Sequence, residues 1–244
     1  MERVAIKMRD GALETLRGSH WPAAVLALAA ASSFCVGLIA LRIVLSGHVG
    51  YAFLVWNLAL AWVPLVLAVC LWVGYRRDWP RPLLGLAAVA WLLFLPNAPY
   101  ILTDYVHLAS GHQGGAIAFD ALAISAYAVT GVLLGFASLY LVQAVSRCVF
   151  GERVTWWLVH GTLALSAVGI YLGRYQRLNS WDAIRDPGLI AGMIRVRVAD
   201  PFGNDVLLGT TISFTAVLVA LYLLVYSIVL PRFQAQVASR FPGS

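Results

Sequence analysis

The sequence predicts an all-α, polytopic integral membrane protein with about six transmembrane helices. Three observations carry this. Apolar residues fill 61% of the 244 positions and charged residues only 11%, where a soluble domain is about a quarter charged; mean hydropathy is +0.82. Several apolar runs reach the roughly 20 residues that cross a hydrocarbon core of about 30 Å. Within those runs the periodicity is helical, without the alternation of a membrane β-barrel.

Residues 1–21 read as an amphipathic cytoplasmic segment with Arg3, Lys7, Arg9 and Arg17. The basic start and the small-residue string AAVLALAAAS imitate a secretory leader, but the apolar run continues to Leu45, too long for the core of one. It is therefore predicted to be an uncleaved first span, residues 22–45. The later spans are predicted at 50–74, 83–108 with an interruption at Pro96 to Pro99, 116–146, 154–173 and 205–230. With no internal repeat or soluble domain, residues 1–244 form a single membrane domain.

Short loops set the orientation. Arg76, Arg77 and Arg81, then Arg147 and Arg153, then Arg232 and Arg240 fall on the same side as the basic N-terminal segment. The positive-inside rule makes that side cytoplasmic, with both termini and the tail 231–244 there. The pI near 9.5 follows from these span-end arginines, and no nucleic-acid partner is implied. The connection 174–204 is placed outside although it carries Arg174, Arg177, Arg185, Arg195 and Arg197, balanced by Asp182, Asp186, Asp200 and Asp205 at its end. Asp186-Pro187 reads as an N-cap followed by proline at the first helical position. The connection is predicted to be a lid whose helix, GLIAGMIRVRVA, lies in the interface.

The third span raises the sharpest question. Leu83 to Leu95 is 13 residues, roughly 20 Å of helix at about 1.5 Å per residue, so the interruption falls about two thirds of the way across. Pro96 and Pro99 remove two backbone donors, and the freed carbonyls need partners that lipid does not offer. Asn97 is suited to supply one. A second short helix, Tyr100 to Leu108, is expected to hold Asp104 and His107 three apart on one face.

The imposed topology brings other polar groups to this level: Asn57 in span 2, Asp120 in span 4, and Arg174, Arg177, Asn179 and Asp182 at the end of span 5. Ionisable groups at membrane depth are functional candidates because burying one unpaired is costly. The alternative is a closed network, such as Asp104 with Arg174 and Asp120 with Arg177, that only fastens helices. Arg42, near the outer end of span 1, is expected to snorkel, and His160 is the one titratable residue noted in the inner half of span 5. Gly131-x-x-x-Gly135 and Gly169-x-x-x-Gly173 fit close helix packing, and the tryptophans fit an interfacial belt.

The blocks WNLALAWVPL, FLPNAPYILTDYVHL and GRYQRLNSWD, spread over residues 56–182, together resemble the domain-of-unknown-function family thirteen-sixty-one, a family of bacterial multi-pass membrane proteins. The resemblance implies a bacterial inner-membrane location and brings no activity, substrate or cofactor.

Serine-triad, Walker and dinucleotide patterns are missing from the sequence. A metal set of Asp104, His107, His112 and Asp120 is weak, since D-x-x-H has little specificity, and no metal site is assigned. Cys35, Cys70 and Cys148 have no paired spacing, and nothing specifies a cofactor or an oligomeric state. The arginines point to an anionic ligand, because guanidinium matches phosphate and carboxylate. The expected site is outward-facing, with Asp104 and His107 as candidate acid or base and Asn57, Asn97, Tyr100, Asp120, Arg174, Arg177, Asn179 and Asp182 as candidate ligand-binding groups. The favoured partner, besides the bilayer, is an anionic lipid or polyprenyl-phosphate-type molecule. Small-molecule or proton-coupled transport through the broken span and a purely structural role are the alternatives.

Overall fold

The computed structural model describes residues 20–109, 117–186, 188, 192, 195, 200 and 203–240. Six of its helices are long and apolar enough to cross a membrane. The chain runs through α1 (His20–Ser46), α2 (Phe53–Arg76) and α3 (Arg81–Phe94), then the short α4 (Asn97–Tyr100), a 3-10 turn (Ile101–Tyr105) and α5 (Val106–Ala109). It continues through α6 (Ile117–Phe150), α7 (Glu152–Tyr175), the single turn α8 (Asp182–Arg185) and α9 (Asp205–Arg240). Elements α3 to α5 together make the third span, Arg81–Leu108. The N-terminal segment 1–19, the turn containing His112, the tail 241–244 and most of the predicted interfacial helix, Arg197 included, lie outside the described residues.

Helix α6 is the centre of the bundle and packs against α1, α2, the broken third span and α7, while α9 leans mainly on α7. Side-chain bonds leave α6 toward several neighbours: Asp120 to Arg42 of α1, Thr130 to Cys35 of α1 (3.5 Å), Ser138 to the indole N–H of Trp91 of α3 (3.3 Å) and Gln143 to the Tyr222 hydroxyl of α9. Where lipid is as apolar as leucine, such bonds and close packing hold spans together. Trp91, read as part of an interfacial belt, is instead a core residue.

The glycine pairs serve the broken span. A Cβ on Gly131 would lie 2.6 Å from the Ala98 carbonyl oxygen, one on Gly135 3.0 Å from the Ala98 Cβ, one on Gly169 2.5 Å from Pro96 Cγ and one on Gly173 3.0 Å from the Tyr100 ring. The turn Pro96–Tyr100 is therefore seated in a socket cut from α6 and α7, and all four glycines are needed for its depth.

At the opposite end of the bundle lies a second polar cluster. Arg147 contacts Glu152 (2.8 Å) and donates to the Tyr226 hydroxyl (2.6 Å), with Trp156 edge-on to Tyr226. His160, by contrast, is exposed, its ring nitrogen 2.7 Å from the Trp156 carbonyl oxygen one turn back.

Candidate functional site

The proline interruption behaves as a local rearrangement with one leftover group. Pro96 and Pro99 lack N–H groups. The Ala98 N–H bonds the Leu95 carbonyl (3.1 Å) and the Tyr100 N–H the Pro96 carbonyl (3.0 Å), while the Asn97 amide donates to the Phe94 carbonyl (3.0 Å). The role expected for Asn97 is thus seen directly. Beyond the break the chain does not resume as one α-helix: Ile101–Tyr105 is wound as a 3-10 turn before the short α5.

Beside the break lies a cavity of about 500 Å³. Its walls are Trp56, Asn57 and Leu60 of α2, Leu92 and Leu93 of α3, Pro96, Asn97 and Tyr100 of the break, and Leu165, Val168, Gly169, Leu172 and Gly173 of α7, closed at one end by Arg177 to Ser180. Helices α3 and α7 touch sparsely, and the lining residues Trp56 of α2 and Leu165 of α7 are 61% and 54% exposed. From Leu165 to Tyr175, the last residue of α7, is 10 residues (175 − 165), roughly 15 Å along the helix at about 1.5 Å per residue, about the depth of one leaflet's hydrocarbon. Most of the lining is apolar, and the polar groups sit at one end.

Arg177 dominates that end. It follows the last turn of α7, where the Leu172 carbonyl accepts from both the Gln176 and Leu178 N–H groups (3.1 and 3.2 Å). Its φ of 54° is left-handed, a conformation that a glycine adopts more readily after a helix. Among the described residues its guanidinium has no hydrogen-bond or ion-pair partner. Asn179 lines the cavity as well, its backbone N–H bonded to the Asp182 carboxylate (2.7 Å). Asp182 thereby holds the loop and does not itself line the cavity.

Asp104 and His107 stand behind the wall. Asp104 is 1% exposed and accepts from the Asn57 amide (2.9 Å), with Arg174 Nη1 3.8 Å and His107 Nε2 3.9 Å from its other oxygen. The Asp104 and Arg174 pairing considered from the sequence is present but long. His107 lies 4.8 Å from the Phe53 ring between centroids, and its carbonyl accepts from the Tyr51 hydroxyl (3.4 Å). Neither candidate acid or base reaches the cavity.

Asp120 is also elsewhere. Instead of Arg177 it pairs with Arg42, whose Nε and Nη2 lie 2.5 and 3.1 Å from its two oxygens, each residue being 2% exposed. The Arg42 guanidinium also sits 4.3 Å over the Tyr51 ring. Arg42 therefore does not snorkel; it is buried in a bidentate pair that joins α1 to α6. A lone arginine in span 1 and a lone aspartate in span 4 were the available signal. Ser180, the other residue missed, lies inside the GRYQRLNSWD block and accepts from Asn97 (2.9 Å). Among the described residues no three His, Cys, Asp or Glu side chains converge as metal ligands.

Against known proteins, the model of a family described as "Protein of unknown function (DUF1361)" matches residues 56–225. That is 170 positions (225 − 56 + 1) of the 244. No curated protein and no solved structure matches the chain.

Proposed function

The chain belongs to the DUF1361 family, and we propose that it binds an anionic amphiphile, a lipid or polyprenyl-type molecule with a phosphate head. One observation supports this above the others: an apolar crevice about one leaflet deep ends at an arginine with no partner among the described residues. The chain of the ligand lies along Leu92, Leu165 and Leu172. Its phosphate meets Arg177, with the amides of Asn57 and Asn179 beside it, in the charge-assisted geometry that guanidinium favours. The sparse α3 and α7 contact lets such a ligand enter sideways from the bilayer.

In this reading Asp104 and His107 are positioning residues. The buried carboxylate fixes the Asn57 amide at the cavity wall and draws Arg174 toward it. In this reading the site faces outward in a bacterial cytoplasmic membrane with both termini inside, an orientation that the span-end arginines support through the positive-inside rule.

The test is native mass spectrometry of the full-length chain in phosphatidylcholine nanodiscs, titrated with phosphatidic acid, undecaprenyl phosphate or inorganic phosphate. Both lipids bind and are weakened by Arg177→Ala but not by Arg76→Ala, a change at the other end of α2; inorganic phosphate binds far more weakly. Equal binding by wild type and Arg177→Ala refutes the reading, and phosphate binding as strongly as the lipids removes the role of the crevice.

A further inference from the structure

We propose that Asn97 and Ser180 form a tether that positions Arg177 over the mouth of the cavity. This rests on the lipid-phosphate reading above and adds the device that holds its cation in place. The Asn97 side chain spends its amide nitrogen on two acceptors: the Phe94 carbonyl at 3.0 Å and the Ser180 hydroxyl at 2.9 Å. The Phe94 carbonyl can only accept, so it fixes the amide nitrogen on its side, and the Ser180 hydroxyl accepts from that same nitrogen. The Phe94 carbonyl needs that donor because the Ala98 N–H, its usual partner, bonds Leu95 instead. One side chain therefore repairs the interrupted helix and grips a loop 83 residues further along the chain.

Ser180 stands three residues beyond Arg177. The other described bonds of this loop are local: Gln176 and Leu178 to the Leu172 carbonyl of the same helix, and Asn179 to Asp182. Among the described residues only the Asn97 bond ties the loop 176–180 to a different span. The left-handed backbone at Arg177 sets the turn, and the tether decides on which side of the crevice its side chain stands. The device joins two features the sequence shows separately, the broken span and the arginine-rich connection.

Two measurements on the full-length chain test it. A nitroxide at Gln176→Cys, with Cys35, Cys70 and Cys148 replaced, reports on the loop directly. Its spectrum is expected to narrow on Ser180→Ala, which removes only the hydroxyl, and on Asn97→Leu, which nearly keeps the size but has no polar atom to bond it. An unchanged spectrum in both overturns the tether, whatever the ligand does. Binding of dioleoyl phosphatidic acid in phosphatidylcholine nanodiscs is the second measurement. Ser180→Ala is expected to weaken it about three- to tenfold, the scale of one hydrogen bond, and to add nothing in an Arg177→Ala background. A Ser180→Ala loss that persists undiminished there means that the serine acts independently of Arg177 and overturns the positioning role. Wild-type binding by Arg177→Ala, with the spectral change intact, would instead leave the tether standing and sink the lipid-phosphate reading alone.

Discussion

Arg177 occupies a backbone conformation that glycine would hold more comfortably, and this separates stability from binding in one substitution. Its φ is 54°, and a left-handed residue with a Cβ carries about 1–2 kcal/mol of strain. Arg177→Gly relieves that, while the added freedom of glycine in the unfolded chain costs about 0.4–1 kcal/mol. The net effect on stability is therefore between about zero and about 1.6 kcal/mol in favour of the variant. Arg177→Ala keeps the Cβ and so keeps the strain. For binding the two variants are equivalent, because each removes the guanidinium. A charge-assisted hydrogen bond contributes about 1.5–3 kcal/mol, an exposed ion pair about 0.2–1 kcal/mol. At the half-wet mouth of the crevice a loss of about 1–2 kcal/mol is expected, roughly a 5- to 30-fold rise in Kd. Thermal melting followed by tryptophan fluorescence, with phosphatidic acid titration of the same samples, reads both quantities. The reasoning is refuted if Arg177→Gly binds like wild type, or if it melts below Arg177→Ala.

Other expectations are as direct. Gly169→Ala forces a Cβ to within 2.5 Å of Pro96 Cγ and is expected to lower stability by about 1–3 kcal/mol, as overpacking does; Gly161→Ala, with open space around it, is the control, and equal melting of the two counts against the socket. Arg42→Ala leaves the Asp120 carboxylate buried and alone, a cost of about 3–5 kcal/mol that Arg42→Met with Asp120→Leu largely restores; size-exclusion recovery after heating separates the single from the double variant. Asp104→Ala frees the Asn57 amide and is expected to weaken phosphatidic acid binding about two- to fivefold, the lower part of the hydrogen-bond range, and wild-type affinity in a monodisperse preparation rules out its positioning role. In a chain without native cysteines, His48→Cys is expected to react with an impermeant thiol reagent from outside and Arg153→Cys only after permeabilisation; the reverse pattern inverts the orientation.

Much of this fold is written in composition. Six spans, the interruption at Pro96 to Pro99 and the service of Asn97 follow from hydropathy, from the missing proline donors and from the need to satisfy carbonyls in a dry medium. At the start of α9 either Asn204 or Asp205 fits a cap by position, and it is Asn204 that accepts from the Leu207 N–H at 2.8 Å. Partners are less legible. Arg42 and Asp120 are 78 residues apart, and nothing local tells which spans adjoin or how deep each sits, so the arginine reads as a snorkelling end residue. The same limit hides the cluster of Arg147, Glu152 and Tyr226, whose members lie in three different helices. The small-xxx-small pairs announce close approach but not what approaches; that the guest is the broken turn, and not a straight helix, emerges only when Pro96 and Ala98 are seen against them.

The placement of Asp104 behind the cavity has a different origin, in helix winding. Leu92, Leu93, Pro96, Asn97 and Tyr100 all line the cavity, the stripe of positions that a 3.6-residue period keeps on one face. Continued as an α-helix, that stripe would reach Thr103 and Asp104 next. The chain instead tightens into a 3-10 turn at Ile101, where each step turns about 120° in place of about 100°. Three such steps swing Asp104 by roughly 60°, away from the stripe and onto Asn57. An anionic carboxylate in the wall would repel a phosphate at Arg177; rotated behind Asn57, it presents an amide there instead. The prolines thus do more than interrupt a span: by ending the regular α-helix they change the phase of the residues beyond it, and the cavity keeps its positive end.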